Sequence, residues 1–251
     1  MADPKVLPGA EAWSAPGGPH GALVVHGFTG CPQSMRGLAE AFAAAGFAVE
    51  LPRLPGHGTT VEDMATTGWP DWSATVEEAY TDLAARCERV VVAGLSMGGT
   101  LSVWLATRHP ELAGVIAINA ALGMADDAMR KGLEELLAQG VETIDGVGND
   151  VADPDVTELA YSQVPVRPLL SFGEAMAELD PSEVHCPVLI MNSPQDHVVP
   201  TAAADTLASS VSGPVERLVL EKSFHVATLD YDKGLIESSA VEFARKVCAG
   251  G

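Results

Sequence analysis

Ser96 stands at the apex of Gly94-Leu95-Ser96-Met97-Gly98, a G-x-S-x-G pattern. The apolar run Val90-Val91-Val92-Ala93 before it has the length of a buried strand, and Thr100 to Ala106 after it continues as a helix. Strand, tight turn and helix in that order form the setting in which this pattern lifts a serine hydroxyl clear of a sheet as a nucleophile. Glycines 94 and 98 carry no Cβ, so strand and helix can close around a strained residue between them. The helix N-terminus beneath Ser96 favours developing negative charge. A Gly-rich turn with an incidental serine has the same five letters; the flanking elements separate the two cases. The glycines do not fit G-x-G-x-x-G, which argues against a dinucleotide site.

A serine nucleophile needs a base, and seven histidines compete. His225, in Lys222-Ser223-Phe224-His225-Val226, follows the last expected strand and precedes the last helix, so its imidazole can reach the end of the sheet where Ser96 lies. His26 and His57 sit in loops on the same side and are its rivals. His109 reads as a helix-end residue, and His20, His185 and His197 as turn or surface positions. The carboxylate that orients the imidazole belongs on a loop after a strand lying between serine and histidine. Asp196 meets this, directly after the apolar run 187–191; Asp205 falls inside a helix, and Asp230 and Asp232 come after the histidine. In such a set the carboxylate holds the imidazole tautomer and the imidazole takes the hydroxyl proton. The oxyanion of an acyl transfer needs donors as well, and the backbone N–H groups of Met97 and Phe28, the latter in His26-Gly27-Phe28-Thr29-Gly30, are placed to serve.

Strands are expected at 22–25, 47–51, 90–95, 115–120, 187–191 and 217–220, with an edge strand possible in the Pro- and Gly-rich lead-in 1–20. Helices are expected at 35–45, 69–87, 97–109, 201–210 and 233–247. Strand and helix alternation predicts an α/β fold, a mostly parallel sheet with helices on both faces. More than sixty residues separate the strands at 115–120 and 187–191, far beyond an ordinary crossover. Met124, Met129, Leu133, Leu136 and Leu137 mark an amphipathic helix there, and 141–151 reads as loop. The whole of 1–251 is expected to form one domain, with a small cap at about 122–170 inserted before the acid-bearing strand, over the crevice at the carboxyl ends of the strands. A pair of ordinary surface helices packed on the sheet is the alternative.

The chain has 251 residues, 14 Lys plus Arg and 34 Asp plus Glu, for a formal charge of −20. Such a field repels phosphate backbones and anionic lipid, which argues against nucleic acid as a partner. No basic and apolar leader opens the chain and no apolar run reaches spanning length. The four cysteines (31, 87, 186 and 248) match no metal-ligand spacing. Free thiols in a reducing cytoplasm are the expectation.

The sequence resembles the α/β-hydrolase superfamily, and within it bacterial monoacylglycerol lipases and their close carboxylesterase relatives, from about residue 21 to 243. The resemblance rests on HGFTG at 26–30, LPGHGT at 54–59, GLSMGGT at 94–100, DPDVTELAY at 153–161, DHVVP at 196–200 and HVATLDYD at 225–232. The order Ser96, Asp196, His225 is the one these hydrolases use. The resemblance implies hydrolysis of an ester of one acyl chain through an acyl-enzyme, without metal or cofactor, and a mobile cap over an apolar channel. It also implies that Glu158 bonds a glycerol hydroxyl and that Val147 lies at the mouth of the channel. The expected partner is a small lipid ester, with transient contact with lipid aggregates and no stable membrane insertion. A general carboxylesterase, another reaction on the same fold such as acyl transfer, and a ligand-binding receptor remain alternatives, because fold and triad alone do not choose.

Overall fold

The computed structural model describes residues 4–123 and 127–250. The strands of the main sheet are β1 (Trp13–Ala15), β2 (His20–Val25), β3 (Ala48–Leu51), β4 (Arg89–Leu95) and β5 (Gly114–Ile118), completed by β8 (Val188–Asn192) and β9 (Val215–Val219). A separate antiparallel pair, β6 (Thr143–Asp145) and β7 (Gln163–Pro165), lies between β5 and β8 in the chain. The helices are α1 (Arg36–Ala44), α2 (Val61–Met64), α3 (Trp69–Ala84), α4 (Met97–Arg108), α5 (Asp127–Ala138), α6 (Val166–Glu178), α7 (Ala202–Ser210) and α8 (Lys233–Cys248). The seven-stranded sheet runs β1-β3-β2-β4-β5-β8-β9, and only β1 is antiparallel to its neighbour.

Alternation along the central strands divides the core in two, because successive side chains point to opposite faces. Leu23, Val25, Val90, Val92, Val115, Ala117, Val188 and Ile190 pack with residues of α3, α4, α6 and α7, among them Trp72, Leu101, Phe172 and Leu207. Ala22, Val24, Val91, Ala93, Ile116, Ile118, Leu189 and Met191 pack with Leu38 and Phe42 of α1 and with Ile236 and Phe243 of α8. Because both faces of β4 are covered, its sequence reads as an unbroken apolar run. No described helix is long and apolar enough to cross a membrane.

Three expectations need adjustment. The stretch 141–151 is not all loop, since it contains β6, whose three residues pair with β7. His20 is the first residue of β2 rather than a turn position. The expected helix marked by Met124 is described only from Asp127 onward, and Met124 lies outside the described residues. The long connection also contains α6, which starts where Pro165 supplies an extended backbone and Pro168 sits in the first turn, a place where its missing N–H costs nothing.

Candidate active site

The turn between β4 and α4 holds Ser96 at φ 55° and ψ −119°, a conformation that costs a non-glycine residue about 1–3 kcal/mol and persists only where its surroundings enforce it. The enforcement is steric. A Cβ on Gly94 would overlap the Gly98 carbonyl, and one on Gly98 would overlap the carbonyls of Val25 and His26. Hydrogen bonds from Ser96 N–H to the Ile118 carbonyl (2.9 Å) and from Ala121 N–H to the Ser96 carbonyl (3.3 Å) tie the turn to the end of β5. Among the described residues, the other non-glycine positions with positive φ are Thr29 and Asn119, in the loops after β2 and β5. These strands flank β4, so the backbone strain is concentrated around Ser96.

The structure brings the side chains of His225 and Asp196 together. The imidazole Nδ1 lies 2.8 Å from Asp196 Oδ2, and both side chains are nearly buried. The other carboxylate oxygen, Oδ1, accepts the N–H groups of Val198 (2.8 Å) and Val199 (2.7 Å), which fixes the rotamer. With Oδ2 accepting from Nδ1–H, the lone pair at Nε2 is left for a proton from elsewhere. Ser96 and His225 open into one cavity of about 250 Å³. Phe28, Glu158 and Val147 line the same cavity, and Val147 is 67 % exposed at its rim. Met97 is the first residue of α4, so its N–H has no intrahelical acceptor and is available at the helix start. Among the described residues no group of three or more His, Cys, Asp or Glu side chains is placed to hold a metal ion.

The rival histidines are engaged elsewhere. His26 is buried; its Nδ1 donates to the Gly27 carbonyl (3.0 Å) and its Nε2 accepts from Leu54 N–H (3.1 Å), so the ring braces the loop after β3. Burial, followed by repulsion from His57, holds its pKa well below the ordinary value. His57 donates Nδ1–H to the Pro55 carbonyl (3.0 Å) and packs against His26, Phe28 and Trp72; burial lowers its pKa to about 4. His109 caps the C-terminal end of α4 and bridges Glu77 and Glu111. His197 is on the surface but is bonded to Asp150.

Glu158 extends over Gly30, where an added Cβ would lie 2.7 Å from Oε1. Burial raises its pKa from 4.5 to about 7, against the opposing pull of His225 and a hydrogen bond from Ser34. The backbone around it is laced to the loop after β2. Tyr161 N–H donates to the Thr29 carbonyl (3.1 Å), Leu159 N–H to Gln33 Oε1 (3.0 Å) and Gln33 Nε2 to the Thr157 carbonyl (3.2 Å). The Cys31 thiol points at the Leu159 carbonyl (3.3 Å), and burial pushes its pKa up to about 11. Asn149 accepts Glu158 N–H and donates to the Val156 carbonyl, closing the segment on itself.

Three site residues were not apparent from the sequence. Asn119 accepts Ser193 N–H (2.8 Å) and donates to the His225 carbonyl (2.8 Å), joining the loops that carry Asp196 and His225. Asp150 accepts backbone amides from both of these loops, and the buried Asp230 accepts Phe224 N–H from the His225 loop along with the N–H groups of Ala152 and Asp153. The contacts that join separate segments, from Asn119 and Asp150 to both loops and from Asp230 to Ala152 and Asp153, are to main-chain groups distant in sequence, for which no local pattern exists.

Known proteins share this architecture over most of its length. The α/β hydrolase family model matches residues 22–237. A thermostable monoacylglycerol lipase from a Bacillus species is 47% identical over 245 residues, covering 96% of each chain. A carboxylesterase from Bacillus subtilis is 25% identical and covers 92% of this chain and 94% of its own. Among solved structures, one from a study of the metagenome-derived lipolytic enzymes LipS and LipT superposes with a TM-score of 0.88 at 44% identity, covering 96% of this chain and all of its own. The monoacylglycerol lipase of Paleococcus ferrophilus, at 18% identity, shares the fold with a TM-score of 0.79 over 94% of this chain and 99% of its own. The parallel sheet, the strained serine turn and this extent of likeness agree: the chain belongs to the α/β hydrolase family.

Proposed function

We propose that this protein is a serine ester hydrolase that cleaves monoacylglycerols to fatty acid and glycerol, with Ser96, Asp196 and His225 as its triad. The observation that carries the reading is the buried Asp196–His225 pair at 2.8 Å, facing the same cavity as a serine held at φ 55°. His225 Nε2 takes the Ser96 hydroxyl proton as Oγ attacks the acyl carbon. The resulting oxyanion is held by the N–H groups of Phe28 and Met97, each such donor being worth about a hundred- to a thousandfold in rate. The imidazolium, stabilised by Asp196, returns its proton to the departing glycerol oxygen, leaving an acyl-enzyme. Water, deprotonated by the same imidazole, then releases the fatty acid and restores Ser96.

The likeness to a monoacylglycerol lipase at 47% identity supports the substrate class. In this reading Glu158, which lies over Gly30 and lines the cavity, bonds a glycerol hydroxyl, and Val147 at the rim meets the acyl chain. In this reading residues 122–170 also act as a cap on the cavity and touch lipid aggregates transiently. The test is hydrolysis of 1- and 2-monoacylglycerols, triacylglycerols and p-nitrophenyl esters of graded length by the wild type and Ser96→Ala. We expect monoacylglycerols to be cleaved, and Ser96→Ala to lose at least about ten-thousandfold in kcat with unchanged circular dichroism. Turnover of the soluble esters alone would make the protein a general carboxylesterase. Saturable binding without turnover would make it a receptor.

A further inference from the structure

For Asp196 and His225 to pair, the loop after β8 must meet the loop after β9, and one carboxylate from outside both loops touches the backbone of each. Asp150 lies in the connection between β5 and β8, 47 residues before His197 and 75 before His225. Its Oδ2 accepts the backbone N–H groups of His225 (3.0 Å) and His197 (3.2 Å). Its Oδ1 meets His197 Nδ1 at 2.7 Å, and its own carbonyl accepts Val226 N–H at 3.0 Å. The residue is buried, while the His197 side chain is 58 % exposed and closes the outer side of the carboxylate.

The amides form two consecutive runs. Those of His197, Val198 and Val199 point at carboxylates, the first at Asp150 and the next two at Asp196. Those of Phe224, His225 and Val226 point at Asp230, at the Asp150 carboxylate and at the Asp150 carbonyl. Asp230 in turn accepts Ala152 and Asp153 N–H, so the strand of chain bearing Asp150 is itself fixed.

We propose that Asp150 is a positioning residue: through main-chain amides it sets the distance between the Asp196 and His225 loops, and with it the place of the imidazole relative to Ser96. The inference rests on the reading of Ser96, Asp196 and His225 as the reacting groups. Asp150 also lines the cavity beside Val147 and Gly148, so the cavity wall and the imidazole share one anchor. Removing its carboxylate leaves two amides without their acceptor, and the loops must move to find others. A displacement of about 1 Å between reacting groups costs on the order of a hundredfold in rate.

The test compares Asp150→Ala, Asp150→Asn and Asp150→Glu with the wild type, and Ser96→Ala as control, by kcat, KM, thermal midpoint and the downfield proton resonance of His225 Nδ1–H. Asparagine keeps an oxygen at the amides and presents its NH2 to His197; glutamate keeps the charge but moves it by one methylene. We expect kcat to fall about 10- to 100-fold in Asp150→Ala with KM within about threefold, to stay within about threefold in Asp150→Asn, and to fall about tenfold in Asp150→Glu. The resonance should shift or broaden in the alanine and glutamate variants and persist in the asparagine one. Normal kcat and an unmoved resonance in all three, with only the thermal midpoint lowered, would overturn the proposal in favour of a purely structural role. An impaired asparagine variant beside a normal glutamate variant would overturn it in favour of charge. If Asp150→Ala does not fold, the contrast between asparagine and glutamate decides. Absence of ester turnover in the wild type would sink the hydrolase reading, while the resonance would still report whether Asp150 sets the Asp196–His225 pairing.

Discussion

Glu158→Gln should make stability less dependent on pH, in a direction fixed by where the carboxyl sits. Burial displaces its ionisation from 4.5 to about 7 in the folded protein. Because the folded value lies above the unfolded one, the proton bound by Glu158 stabilises the fold fully below pH 4.5, and that stabilisation is lost as pH rises through about 7. At about 1.4 kcal/mol per pH unit, the displacement corresponds to about 3 kcal/mol, and water in the adjoining cavity screens part of it, leaving about 1–3 kcal/mol. Glutamine is neutral at every pH and nearly the same shape. Its advantage over wild type should therefore be small at pH 5 and grow by about 1–3 kcal/mol by pH 8. For a chain of this length that is a gain of about 2–10 °C in thermal midpoint difference. Differential scanning calorimetry of both proteins at pH 5, 6, 7 and 8 reads it. A difference that stays flat, or narrows with rising pH, would refute the argument that burial governs this carboxyl.

Asp196→Asn keeps the shape of the side chain but cannot hold the imidazole in the required tautomer; kcat should fall by about ten-thousandfold with KM little changed in steady-state ester hydrolysis. Near-normal turnover would mean that another carboxylate orients His225. Gly94→Ala places a methyl group against the Gly98 carbonyl. The turn must open to admit it, and thermal unfolding should show a loss of about 3 kcal/mol or more, since neither backbone can yield cheaply. A midpoint within about 2 °C of wild type would mean that the turn is not as tightly closed as described.

Ser96, His225 and Asp196, the residues proposed as nucleophile, base and acid, each carry a local signature in the sequence. Ser96 is framed by glycines and by an apolar strand, and Asp196 and His225 each fall just past a strand of recognisable composition. The parallel sheet followed from alternation of strands and helices. Legibility ended where pairing is between a side chain and a distant main chain: Asp150, Asp230 and Asn119 carry no pattern that names their partners. It also ended in the connection before β8. There β6 and β7 are strands of three residues each, too short to show a period of two. The start of α6 was hidden because Pro168 reads as a break, although proline is tolerated in a first helical turn.

The chain from Asn149 to Tyr161 is stitched at one end to the His225 loop and at the other to the loop bearing Phe28 and Thr29. In evolutionary terms this makes the segment a poor cassette. Exchanging it for the corresponding piece of a cousin enzyme would import a new wall for the cavity together with a new seating for the His225 imidazole and for the loop bearing Phe28. Substrate range and turnover number would then be inherited as one trait, and divergence within this lineage would proceed through side chains at the rim, such as Val147, that can vary without disturbing either seam.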